Sequence, residues 1–392
     1  MNMDRNKLLV FCFCLFGFSV PLTISAAETL LFLTLMMGFI AWLRRRIRVP
    51  MDSPYLVPVL LFVGIATATA FFGERPGQSM HRLHRLLFPF ILLMMGIRGN
   101  DGARLPRQWL RYSVVSFLIG VAVLGVTDLV RIPYAVNHGV SWFDAGNMRD
   151  PQMYLVSLCI LAPLWIAPDC RAWRPFLSMG TVLSLLGILL HFKRGVWASL
   201  LIAMLLLSVL TRRWIILLVM VGLVIGAALV PQVQDRVRDL KLVTEVGVGG
   251  RYALWTEVAP NLIPEYPMGL GWGAMRHSDL AEHADYVQPK LNHLHNNVLQ
   301  IAVEVGWLGL LAWLLWMSTA LLLCMRLLQK SAGRIDMDSA ILMGVLCGLV
   351  GLLANGMVEY NFGDSEILLL YCLLMGWSEW MRDSSELEVG AS

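Results

Sequence analysis

The chain has 392 residues, 57% of them apolar and 15% charged, with a formal net charge of +4. A soluble domain carries roughly 25% charged residues, so this composition excludes an ordinary soluble enzyme and points to a polytopic membrane protein. Seven cysteines (Cys12, Cys14, Cys159, Cys170, Cys324, Cys347 and Cys372) lie in or beside apolar runs without CxxC spacing, which supports neither a disulfide framework nor a zinc site.

Apolar runs that would cross a bilayer as helices, at about 20 residues each, recur along the whole chain. Twelve spans are predicted, at about 8–25, 27–43, 55–72, 86–97, 113–130, 152–168, 175–191, 195–211, 213–230, 307–327, 339–357 and 366–381. The first follows a short basic start, as a signal peptide would. A second run follows at once and no A-x-A-like site marks cleavage, so it is read as a retained span. The fourth is short, and the preceding Met80–Arg85 (MHRLHR) is read as an interfacial turn that lengthens it.

Charge sidedness orients the helices. A cytoplasmic N-terminus puts 18 of the 31 Lys and Arg on inner segments, and six of the other 13 fall in one long outer segment that the rule hardly weighs. The short-loop comparison is then 18 against 7. Both termini are therefore expected in the cytoplasm. The expected division is helices 1–9 in residues 1–230, an extracytoplasmic loop at 231–297, helices 10–12 in 298–381 and a cytoplasmic tail at 382–392.

That long loop holds eight acids against six Lys and Arg, so it is no patch for nucleic acid. Residues 232–246 space Val233, Val237, Leu240 and Val243 as an amphipathic helix. Gly247–Gly250 breaks it, a second helix is expected over Arg251–Leu262, and Pro264 ends that one. Pro267–Gly273 (PMGLGWG) reads as a turn-rich loop, an acidic, His-containing stretch follows, and a new helix starts near His295.

Three residues carry the chemistry. Arg194 follows a tight outer turn between two apolar runs, where arginine costs roughly 2.5–3.5 kcal/mol at membrane depth and is often functional. The blander reading is snorkelling to headgroups. Arg251 opens a helix, and a helix N-terminus plus a guanidinium fork suits phosphate oxygens; the alternative is a surface pair with Glu257 or Glu245. His295 stands at a helix mouth, as a cap or as a base. Two fixed cations and one titratable imidazole at a single outer mouth suit a reaction on a phosphate-bearing lipid, with the arginines holding a leaving diphosphate and the histidine taking a proton from an attacking hydroxyl. Lys193, Arg82, Arg85, Trp272 and Asn296 are further candidates for contacts to diphosphate or glycan. The histidines form no HExxH, so no metal is expected. Gly269-x-Gly271-x-Gly273 lacks the βαβ setting of a dinucleotide loop. On a continuous helix Glu304 and His295 would point to opposite faces, so Glu304 is expected to pair with an arginine or a backbone donor instead. Trp307, Trp313 and Trp316 read as interfacial belt or lipid-facing packing.

The string from His295 through Leu299 and Glu304 to Gly306 resembles the H-[NS]-x-x-L-x-x-x-x-E-x-G signature of the O-antigen ligase/polymerase superfamily. Pro267–Gly273 resembles that family's P-x-x-G-x-G-x-G loop, and Arg194 and Arg251 match its two arginines. Many relatives have a small hydroxyl residue where this chain has Lys193. The resemblance implies an all-α membrane protein of about 12 helices, GT-C-like, with one large periplasmic loop containing short helices. It implies a metal-independent, cofactor-free glycosyltransferase of the bacterial inner membrane, active at the periplasmic face. Its partners would be an undecaprenyl-diphosphate-linked glycan donor, a lipid A-core acceptor and the surrounding membrane lipids. By analogy Arg194 and Arg251 would bind the diphosphate and His295 would activate the acceptor, with inversion at the anomeric carbon. Within the family, an O-antigen polymerase and a protein-glycosylating oligosaccharyltransferase are the alternatives to the ligase. A polyprenyl-linked glycan transporter is the reading from another class, and it would be expected to show repeated halves, which this sequence lacks.

Overall fold

The computed structural model describes residues 3–99, 105–141, 145–191, 193–228, 234, 251, 254–275, 293–331 and 333–382. The amphipathic helix expected at 232–246, the glycine break after it, Glu245 and the acidic stretch up to Pro289 lie essentially outside those residues. Each of the twelve predicted apolar segments carries a helix: α1 (Met3–Ser19), α2 (Ile24–Leu43), α3 (Leu56–Phe72), α5 (Phe90–Met95), α6 (Arg107–Asn137), α7 (Asp150–Ile166), α8 (Arg174–His191), α9 (Arg194–Thr211), α10 (Ile215–Ala228), α12 (Asn297–Lys330), α13 (Met337–Gly356) and α14 (Ser365–Met381). Between them lie the short helices α4 (Pro76–Met80) and α11 (Ala259–Glu265). Six helices among the described residues are long and apolar enough to cross a membrane: Ile24–Leu43, Arg107–Asn137, Pro168–His191, Arg194–Thr211, Asn297–Lys330 and Met337–Gly356. The protein is thus a helical, multi-pass membrane protein. The remaining apolar helices are shorter.

Two expectations change in detail. The fourth apolar run is a 3-10 turn at Leu83–Leu87 followed by the six-residue α5, because Pro89 at the junction donates no backbone N–H. Pro264 does not end its helix: α11 closes one residue later, at Glu265, with Tyr266 N donating to Leu262 O. A two-residue antiparallel pairing, Ile47–Arg48 (β1) with Arg98–Gly99 (β2), ties two connections together.

α13 and α14 form the centre. Almost every residue of α14 is buried, as expected for a helix that is apolar all round. α13 lies so close to α7 that a Cβ on Gly344 would sit 2.7 Å from Ile160 Cα. Small residues allow this approach, and lipid supplies no competing hydrophobic force to drive it. By contrast, α2 and α10 expose Phe39, Ile40, Leu218 and Ile225 toward the lipid.

An aromatic knot closes the upper bundle. Phe362 meets Phe62, Trp313, Trp316 and Tyr371 with ring centroids 5.6–5.9 Å apart, mostly edge to face. Trp313 and Trp316 are therefore core residues rather than belt residues, at 3% and 0% exposure, whereas Trp307 is exposed as expected. Their partners come from α3 and from the turn before α14, which no local pattern reveals.

A charge network fixes the C-terminal end of α8. Asp128 accepts from Tyr154 Oη at 2.7 Å and pairs with His191 Nε2 at 2.9 Å. Arg131 bridges Asp128 at 2.7 Å and Asp150 at 2.9 Å, and Arg149 completes Asp150 at 2.6 Å. This network sits immediately before the Lys193–Arg194 turn.

Candidate functional site

The site is built on the start of α12. Asn296 is the N-cap, with extended backbone and a side-chain oxygen accepting from Leu299 N at 3.1 Å. Its amide donates to Met357 O at 2.9 Å, so Asn296 holds the helix start against the turn after α13. Both ends of its side chain are used structurally, which is a narrower role than the substrate contact expected from sequence.

His295 stands just outside the helix, with φ at +50°. This left-handed conformation costs an ordinary residue roughly 1–2 kcal/mol and survives only where neighbours dictate it. Here they do. Leu294 N donates to Gln300 Oε1 at 2.7 Å, Trp255 Nε1 donates to Leu294 O at 2.8 Å, and Asn296 caps the next turn.

The imidazole so placed meets a residue that the sequence reading missed. His295 Nδ1 lies 3.0 Å from Glu359 Oε1. The other oxygen of Glu359 takes Arg251 Nη2 at 2.8 Å, and Arg251 Nη1 donates to Val358 O at 2.6 Å. Glu359 is 8% exposed, whereas His295 is 32% and Arg251 42% exposed. Burial opposes ionisation of Glu359, but the hydrogen bond from His295 and the charges of His295, Arg251 and His293 outweigh it and hold the carboxyl below its usual range. An ionised Glu359 accepts from Nδ1–H, which leaves Nε2 of a neutral His295 as the basic nitrogen.

Arg194 opens α9 one residue before Gly195. A Cβ on Gly195 would lie 3.0 Å from Val358 Cγ2 and 3.2 Å from Asn355 Oδ1. Gly195, next to Arg194, and the side chains of Arg251 and His295 thus meet at the single turn Asn355–Glu359, from positions up to 101 residues apart by number. That turn is itself locked. Asn297 Nδ2 donates to Asn361 Oδ1 at 2.7 Å, Phe362 N returns to Asn297 Oδ1 at 3.1 Å, and Asn361 Nδ2 donates to Gln152 Oε1 at 2.8 Å.

A second group of charges lies alongside. Arg85 Nη1 donates to Gly363 O at 2.5 Å. Asp364 opens α14 without capping it. Burial and the neighbouring acids Glu366 and Glu359 push the Asp364 carboxyl up to about 6, against the pull of Arg85 and Arg82. Trp272, a sequence candidate for contact to diphosphate or glycan, is only 2% exposed. Its ring packs edge-on to Phe62 at 5.8 Å and its Nε1 donates to Arg82 O at 3.3 Å, so it supports Arg82 and offers no free face to a sugar.

The glycine loop and the E-x-G pattern turn out to be one device. Gly306 interrupts α12 with φ 75° and ψ −177°, a region essentially reserved for glycine. The kink frees backbone groups that the loop satisfies: Leu270 N donates to Val303 O and Gly271 N to Glu304 O, both at 2.9 Å, while Trp307 N donates to Pro267 O at 3.2 Å. Inside the same fold-back, Glu304 takes Gln300 Nε2 at 2.9 Å, Tyr360 Oη at 3.1 Å and Met275 N at 3.3 Å. The expectation that Glu304 pairs with a backbone donor and not with His295 holds, although the helix is not continuous between them. A Cβ on Gly306 would lie 2.6 Å from Pro267 O. Gly306→Ala is therefore expected to destabilise the fold by on the order of 3 kcal/mol, read as an earlier thermal transition in detergent; an unchanged transition would contradict this lock.

His293, His295 and Glu359 present ligand atoms within 4.8 Å of one another, a set that could also hold a cation, as could the buried Asp128, Asp150 and His191. In both groups arginines already balance the carboxylates: Arg251 on Glu359, Arg131 and Arg149 on Asp128 and Asp150.

A multi-pass helical membrane protein with an arginine, a histidine and a buried carboxylate at one mouth is the class that the fold and site define. Residues 179–314 match the family model described as O-antigen ligase. The chain is also similar to two proteins named "Putative polysaccharide ligase". One, from Rickettsia conorii, is 30% identical over 272 residues, covering 65% of this chain and 57% of the relative. The other, from Rickettsia prowazekii, is 30% identical over 104 residues, covering 24% of this chain and 26% of the relative. These matches support the O-antigen ligase superfamily, in agreement with the motif residues. The chain spans a quarter to somewhat over half the length of these relatives. Glu359 lies beyond the matched family segment.

Proposed function

We propose that the protein is an O-antigen ligase: a glycosyltransferase that moves O-antigen from undecaprenyl diphosphate to the lipid A-core oligosaccharide. The family match and the relatives support the broader type, an O-antigen ligase or polymerase acting on lipid-linked polysaccharide. One observation carries the finer reading. Glu359 binds Arg251 through one oxygen and His295 through the other, so a fixed cation and a base with a defined free nitrogen are held side by side.

In the proposed reaction the acceptor hydroxyl approaches His295 Nε2. Its oxygen attacks the anomeric carbon from the face opposite the diphosphate, and its proton passes to Nε2. The bond between the anomeric carbon and the diphosphate oxygen breaks, its electron pair leaving with undecaprenyl diphosphate. Arg194 and Arg251 stabilise that charge, and a single displacement inverts the carbon. Lys193, Arg82 and Arg85 are proposed to hold the diphosphate or the glycan. The wider frame of the proposal is twelve spans in a GT-C-like arrangement, both termini cytoplasmic, and the 231–297 loop periplasmic in a bacterial inner membrane. No cofactor or metal takes part.

Two measurements test this reading. A null strain is expected to accumulate long polymer on its carrier lipid; single repeat units on the lipid A-core would assign a polymerase instead. Purified protein dialysed against EDTA is expected to transfer at the untreated rate. Loss of activity restored by a divalent cation would move His293, His295 and Glu359 from base and support to metal ligands.

A further inference from the structure

A cavity of about 440 Å³ lies at the other end of α12, lined by Arg326 and Lys330, by Arg382 at the close of α14, by Asp52 and by Leu322 and Leu327. α12 breaks at Gly306, and the part from Trp307 to Lys330 alone runs roughly 35 Å, about the thickness of a bilayer core, so this cavity and His295, before the break, belong to opposite faces of the membrane. Its charges are unevenly matched. Asp52 is the one acid on the wall among the described residues, and it is shared by Arg382 Nη2 at 2.8 Å and Arg98 Nη2 at 2.6 Å. Arg382 also holds Glu379, at 3.2 Å. Among the described residues Arg326 and Lys330 have no acid partner and stand as two like charges one helical turn apart, a spacing that repels unless an anion sits between them.

From this geometry we infer that the cavity binds the headgroup of an anionic phospholipid. The phosphate sits between Arg326 and Lys330, and the acyl chains leave along the apolar side of α12. The source is a lipid and not free phosphate because the wall combines the basic pair with Leu322 and Leu327, and Leu322 and Met325 continue the apolar surface outward at 47% and 41% exposure. Basic recesses between helices on the cytoplasmic side suit such headgroups. This site is independent of the proposed reaction.

The test uses the full chain in nanodiscs containing phosphatidylglycerol and phosphatidylcholine, released and read by native mass spectrometry. The wild type is expected to retain phosphatidylglycerol over phosphatidylcholine by roughly thirtyfold, the preference two surface cations supply. Arg326→Gln/Lys330→Gln should abolish the preference, Lys330→Arg should keep it, and Arg44→Gln/Arg46→Gln, on another basic connection, should not alter it. Three results would each overturn the inference. One is equal retention of both lipids by the wild type. Another is an unchanged preference in the double variant. The third is displacement of the bound lipid by millimolar inorganic phosphate, which would mark a site for free anions.

Discussion

His295→Ala is expected to lower glycan transfer by about 10²–10⁴-fold, the usual contribution of a general base, with the protein still inserted and folded. The physical ground is specific. Glu359 fixes one imidazole nitrogen and the left-handed backbone at His295 aims the other away from it, so alanine removes the proton acceptor and little packing. His295→Gln keeps a polar group at the same place without a base of useful strength and should be as inactive. The measurement is the lipopolysaccharide gel of a null strain carrying each variant, with membrane abundance measured in parallel. A wild-type ladder from either variant would remove His295 from the reaction.

Glu359→Gln is expected to have an effect of similar size, on the order of 10²–10⁴-fold, because losing a carboxylate that sets a histidine's tautomer is that costly where such a pair drives catalysis. It also strips Arg251 of its counter-charge, so the cation that is proposed to receive the diphosphate is no longer held in place. Its stability consequence has a definite sign. The Glu359 carboxyl is held below its usual range, so its pairing stabilises the fold fully above the ordinary glutamate value near 4.3 and is lost as pH falls through the depressed one. Glu359→Gln should therefore unfold earlier than the wild type at pH 7, and the gap should close in strongly acidic buffer. A gap that widened on acidification would reverse the assignment.

Much of the frame could be read from sequence because it is written in long apolar runs, and each run indeed carries a helix. Arg251 and His295 were legible for local reasons: Arg251 follows a glycine-rich break and opens a helix, where N–H groups and a guanidinium suit phosphate, and a titratable group at the mouth of an apolar helix stands out. Glu359 was not. It lies 64 residues beyond His295, in a short turn between two buried helices, and nothing local connects it to the histidine. One signal was available: Glu359-Tyr-Asn-Phe-Gly-Asp364 carries two acids and no base, the electrostatic complement of the cations Arg194 and Arg251 and of His295. The spacing rule applied to Glu304 gave the right partner type by way of a helix that in fact begins after His295 and breaks at Gly306. That break needs the glycine loop folded against it, a tertiary contact that periodicity cannot report. Trp272, Trp313 and Trp316 failed for the same cause, since their burial depends on Phe62 and Phe362 from distant segments.

In the proposed reaction, one mouth of the bundle, organised by Glu359, transfers a glycan from a polyprenyl diphosphate with His295 as base. The most direct test is a reconstituted assay: purified protein, a defined undecaprenyl-diphosphate-linked glycan and lipid A-core, with and without EDTA. Glycosylated lipid A-core and released undecaprenyl diphosphate are expected from the wild type in either buffer, and neither product from His295→Ala. Product formed by His295→Ala at the wild-type rate, or only when a divalent cation is supplied, would contradict the proposed reaction.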